Sequence, residues 1–206
     1  MRCVIVSLQL APLAYQGTRG SYRSPGGRQH RCHRIFTSKI KNQQSKILMS
    51  DSSLRQHLVE LLKGGSAHAD FNASIADCPE ELRGKHASKF PHTAWQLLEH
   101  MRIAQADILD FSRNAEYKEL NFPDDYWPRH DKPANSHAWD ESVSAFRRDL
   151  KAMQDLVTDP KTDLYAKIPW GSGQTVLREA LLVADHNAYH LGQLVTLRRA
   201  LGAWPA

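Results

Sequence analysis

From Trp139 to Val157 the apolar residues Trp139, Val143, Phe146, Leu150, Met153 and Val157 recur at intervals of four and three. That spacing keeps one side of an α-helix apolar over about five turns; a strand would need alternation every two residues. Asp159-Pro160 follows, and proline ends a helix because it has no N–H to donate. A rod with so long an apolar stripe must bury it against other elements.

The chain supplies partners of the same kind. A first helix is expected to begin near Ser53, where Ser53-x-x-Gln56 has the capping-box pattern, and to carry Leu54, Leu58, Leu61 and Leu62 before Gly64-Gly65 breaks it. A short helical segment holds Phe71 and Ile75 and stops at Cys78-Pro79; residues 80–91 are polar and read as a loop. A second long helix is expected from about Thr93, again with a capping box to Gln96, to Asn114. The last long helix is expected from about Thr175 to Leu201, closed by Gly202 as the C′ glycine. Leu177, Leu181, Ala184, Ala188, Leu191 and Val195 would line one of its faces, and Gly192 would let a neighbouring backbone approach. Four long amphipathic helices without a strand signal predict an all-α, up-down four-helix bundle.

Charge separates the chain into two parts. Residues 1–50 hold nine Lys or Arg and no acid, whereas residues 51–206 hold 18 basic and 22 acidic groups. The basic balance therefore belongs to the first part, and the mildly acidic composition of residues 51–206 gives no support for nucleic-acid binding. No apolar run reaches the roughly 18 residues of a membrane span. Residues 1–49 lack helical periodicity and read as a basic, disordered leader to a domain over residues 50–206. The leader is readable as a signal peptide, as an Arg-rich transit-like segment, or as sequence upstream of a start at Met49, the reading favoured here. A metal site at His30, Cys32 and His33 is set aside in so basic a tail. Of three cysteines only Cys78 lies in the domain. That rules out a disulfide framework, suits a reducing, cytoplasmic location, and leaves Cys78 as a small buried or turn residue.

Chemistry concentrates on the last helix. His186 and His190 are four residues apart, about one turn, so both rings project from one face, roughly 6 Å apart at Cβ. Two imidazoles so placed can share a metal ion; the alternative is a pair of surface or core histidines. Leu182, Val183, Leu194 and Leu197 flank them, which favours a buried face and makes unpartnered rings costly. His100 lies on an apolar stripe of the second helix beside Leu97 and Ala104 and is read as a third ligand. Asn187 follows His186 where a zinc protease would have Glu. Asp107, seven residues after His100, and Glu179, seven before His186, are candidates to accept a ring N–H, or are solvated helix charges. His68, after the Gly-Gly break, is a candidate base or extra ligand. Tyr189 reads as a packing residue, and His57, His86, His92, His130 and His137 as surface or loop. Tyr126 and Trp127, bracketed by Pro123 and Pro128, either lid the site or plug the bundle end.

Leu97-Leu98-Glu99-His100, together with Asp185-His186-Asn187-Ala188-Tyr189-His190-Leu191-Gly192-Gln193, resembles the DinB-like (DinB/YfiT) family over most of residues 51–204. The resemblance implies a four-helix bundle, often a homodimer, with a divalent metal on His100, His186 and His190. It also implies a small-molecule substrate, and either thiol-dependent transferase or isomerase chemistry using a low-molecular-weight thiol, or metal-dependent hydrolysis. Three neutral imidazoles leave an open coordination position, and such a donor set suits Zn²⁺, Ni²⁺ or Fe²⁺ without choosing among them.

Overall fold

A computed structural model describes residues 51–205. The expectations for the leader, including His30, Cys32 and His33, lie outside the described residues. Helix α1 covers 51–63, α2 Phe71–Ile75, α3 Glu80–Arg83, α4 Ala94–Arg113, α5 Ala138–Thr158 and α6 Val176–Ala200. Among the described residues there is no strand, only one isolated antiparallel bridge between Lys167 and Thr175. The long helices α1, α4, α5 and α6 form the expected all-α bundle.

The helix ends show which local signals act. Thr93 Oγ1 accepts the Gln96 N–H at 3.2 Å while Gln96 Oε1 accepts the Thr93 N–H at 3.0 Å, so the capping box of α4 is closed. Thr175 caps α6 through the Arg178 N–H, and Gly202 follows it at φ +69°, a left-handed conformation that favours glycine. The box at Ser53 does not form. The helix is already present at residue 51, so Ser53 lies inside it, and the Gln56 amide donates to Glu60 one turn on. Glu80–Arg83, expected as loop, is a single helical turn with Pro79 ahead of it, acids at its start and Arg83 at its end, an order that suits the helix dipole.

Strict up-down alternation does not run through the whole bundle. The Glu99 carboxylate meets Ser142, and further along both helices the Gln105 amide donates to the Phe146 carbonyl, so α4 and α5 run in the same direction. The connection between them makes this possible by doubling back: Thr93 Oγ1, at the start of α4, donates to the Asp131 carbonyl at 2.6 Å. Helix α6 runs the other way against α4. His100 faces His190 at one end, and the Trp170 indole N–H reaches the Phe111 carbonyl at the other. Helix α1 also opposes α5. From its first turns Arg55 donates to the carbonyls of Val157, Asp159 and Thr162, satisfying C-terminal acceptors that have no partner within the helix.

The α5 stripe is buried as expected, with Leu150 half-buried. Phe71 of α2 stacks on Phe146 at a centroid distance of 3.8 Å, which anchors the short helices to the bundle. The expectations for Leu181 and Gly192 on α6 fail. Leu181 is 44 % exposed. A Cβ at Gly192 would meet nothing within 4 Å, so no backbone packs there and the glycine is open to solvent.

Candidate metal centre

The antiparallel pairing of α4 and α6 sets His100 opposite His186 and His190. Ring centroids are 4.9 Å apart for His100 and His186, and 4.5 Å for each of the other two pairs. One ring nitrogen from each residue lies within 4.8 Å of the others, and the Nε2 atoms of His100 and His186 are only 3.0 Å apart.

Hydrogen bonds behind the rings decide which nitrogens face inward. His100 Nδ1–H donates to the Tyr126 carbonyl at 2.9 Å, and His190 Nδ1–H donates to Gln193 Oε1 at 2.7 Å. Neutral imidazole carries one proton, so both rings turn a bare Nε2 lone pair toward the cluster. His186 is then caught between two unsatisfactory states. With its proton on Nε2 it can donate to His100, but its Nδ1 is buried and has no partner. With its proton on Nδ1, two lone pairs face each other at 3.0 Å. A cation among the three Nε2 atoms relieves the conflict, and three imidazoles are a fitting donor set for a divalent transition metal.

Burial is the main reason all three rings resist protonation. His100 is pushed down to about 4, burial outweighing the Tyr126 carbonyl that favours the charged form. His186 is pushed down to about 3 by burial and by the neighbouring His190 and His100, with the Asn187 side chain opposing. His190 is also lowered, by burial first. Near neutral pH the rings are therefore neutral and available as ligands. His100 and His190 keep 5 % and 7 % of their surface exposed, and His186 keeps more although its Nδ1 is covered. The cluster thus retains contact with solvent.

A family model of the DinB superfamily matches residues 66–194, a span that contains all three histidines. The chain belongs to the DinB superfamily. No curated protein and no solved structure matches it. In this DinB-superfamily chain the bundle supplies the scaffold that holds the three rings together.

The remaining sequence candidates fall in different places. Asp107 touches no ring nitrogen. It accepts hydrogen bonds from the hydroxyls of Tyr117 at 2.9 Å and Tyr126 at 2.6 Å, so it reaches His100 only through the residue whose carbonyl takes the ring proton. Glu179 is buried and paired with Arg178 at 2.7 Å, away from the rings. For both carboxyls burial is the leading influence and raises the pKa. His68 is exposed, with Nδ1 bonded to the adjacent Ala69 carbonyl, and stands outside the three-histidine group. Tyr189 is 64 % exposed and does not pack in the core.

The loop residues prove more intimate with the site than spacing alone suggested. Trp127 lies flat on His100, centroids 3.8 Å apart, and His92 stacks on the indole at 4.0 Å. His92, expected at the surface or in a loop, lies in the loop ahead of α4 and is half-buried there, and burial lowers its pKa. Nothing in local periodicity marks His92 or the Tyr126 carbonyl. Gln193 did have a signal, since it stands three residues after His190 in the Gly-Gln pair of the motif.

Proposed function

We propose that this DinB-superfamily chain is a divalent-metal-dependent enzyme acting on a small molecule, of the thiol-dependent transferase or hydrolase type. The observation that carries the reading is the inward-facing pair of Nε2 atoms at 3.0 Å, with the Nδ1 atoms of His100 and His190 tied to acceptors behind them. His100, His186 and His190 would hold the ion. A divalent ion there lowers the pKa of a water or thiol at its open position, giving a nucleophile near neutral pH. Trp127 shields one side of the site, and the residual exposure of the rings supplies the route for substrate.

A second reading is a non-catalytic metal-binding bundle that serves as a small-molecule-binding or interaction domain. It draws support from the lack, among the described residues, of any carboxylate hydrogen-bonded to the three rings. The two readings share the metal and differ in turnover. Metal analysis of the purified protein tests the first step: about one divalent ion per chain, falling sharply in His186→Ala and His190→Ala, is expected. Unchanged metal content in both variants would overturn it. Turnover of thiol-conjugation and hydrolysis substrates by loaded wild type, lost in the same variants, separates enzyme from binding domain. A homodimer in a reducing compartment belongs to the same reading and is checked by light scattering. Among the described residues no helix is long and apolar enough to cross a membrane.

A further inference from the structure

Two of the rings have an identified acceptor for the Nδ1 proton, and the third does not. His186 Nδ1 is buried without a partner, and so is Asn187 Oδ1, on the next residue. One is able to donate and the other only to accept. Unpaired buried polar atoms are uncommon and costly, so two in adjacent side chains call for a common cause.

The orientation of the Asn187 amide is settled by the core. Gln105 Nε2 donates to the Phe146 carbonyl at 2.8 Å. A carbonyl can only accept, so Gln105 must present Oε1 at its other end. That oxygen accepts Asn187 Nδ2–H at 2.9 Å. Asn187 must in turn leave Oδ1 as its free end. His186 and Asn187 point about 100° apart around the helix, but they are neighbours in the chain and the unpartnered atom of each is buried.

We propose that Asn187 Oδ1 accepts the His186 Nδ1–H, so that the Phe146 carbonyl, Gln105 and Asn187 form a buried chain of oriented amides that turns the His186 Nε2 lone pair to the shared metal position. Asn187 and Gln105 are thereby positioning residues, acting through His186 rather than on substrate. All three rings then have the same arrangement: Nδ1 protons go to Tyr126, Gln193 and Asn187, and Nε2 atoms face inward. The chain of amides also links α5, α4 and α6, so the ring is aligned by the helix packing itself. This inference rests on the metal-binding reading above.

Full-length protein loaded with Zn²⁺ provides the test, because zinc is diamagnetic and leaves the imidazole N–H protons observable by NMR. Wild type is expected to show three slowly exchanging Nδ1–H resonances. Asn187→Leu is expected to lose the His186 resonance alone and to bind Zn²⁺ about tenfold or more weakly, while those of His100 and His190 persist. Only two protected resonances in loaded wild type, or three in Asn187→Leu, would overturn the proposal while leaving metal binding intact. Should Asn187→Leu fail to fold, the wild-type count still decides. A wild type that takes up no Zn²⁺ defeats the metal-binding reading, and this inference with it.

Discussion

The indole of Trp127 lies parallel to the His100 imidazole, within 2° and with centroids 3.8 Å apart. The same loop gives His100 its Nδ1 acceptor, the Tyr126 carbonyl. One two-residue stretch therefore fixes the ring by stacking on its face and by bonding its rear nitrogen. Trp127→Leu keeps the position apolar but removes the stack, and should weaken metal binding about tenfold. Calorimetric titration with Zn²⁺ alongside thermal melting checks this; equal affinity in variant and wild type would show that the stack does not hold the ligand.

Asp107 receives two tyrosine hydroxyls, but only one belongs to the residue that touches His100. Tyr117→Phe and Tyr126→Phe each remove one bond to the carboxylate, and each should cost about 1.5 kcal/mol. Only Tyr126→Phe should also reduce Zn²⁺ affinity. Urea unfolding and metal titration of the two variants in parallel make the comparison, and matched effects on affinity would count against the loop as the device that sets His100.

Arg198 is buried at 1 % exposure, and donates to the Ser74 carbonyl and the Ala203 carbonyl, each at 2.7 Å. Trp204 covers its guanidinium at 5.3 Å. It ties α2 and the chain beyond α6 to the last turn of that helix. Arg198→Met preserves the apolar stem and strands both carbonyls, for an expected loss of about 3 kcal/mol. A shift of under 1 kcal/mol in urea unfolding would mean those carbonyls find other partners.

Stability of the metal-free protein should fall with acid through the histidines. His100 at about 4 and His186 at about 3 both lie below the ordinary imidazole value of 6.5. Between those values the unfolded chain binds protons that the fold refuses, so stability declines as pH drops below 6.5 and levels off near 3. Asp107 and Glu179, raised by burial, work in the opposite direction, because the fold then holds their protons more tightly. Comparison with His186→Gln isolates the histidine share: its urea midpoint should fall less between pH 7 and pH 5 than that of wild type. Parallel curves would deny that burial of this ring opposes its charge.

Local signals account for what could be read directly. The Thr93 cap, the α5 stripe and the one-turn spacing of His186 and His190 all depend on atoms within four residues of each other, and each appears as expected. The cap at Ser53 failed for a related reason, since a capping pattern inside a continuing helix has no free N–H groups to serve. Leu181 and Tyr189 went astray because periodicity identifies a stripe without stating which neighbour covers it.

By itself, then, the sequence determined the helices, most of their ends, and the histidines available to one site, because helix geometry is set by short-range hydrogen bonding and side-chain spacing. Tertiary structure alone decided that α4 and α5 run the same way, that the 114–137 connection returns to place Tyr126 and Trp127 on His100, and that Gln105 orients Asn187. Those relationships join residues between 26 and 82 positions apart. They depend on how whole rods pack, and no local pattern encodes that.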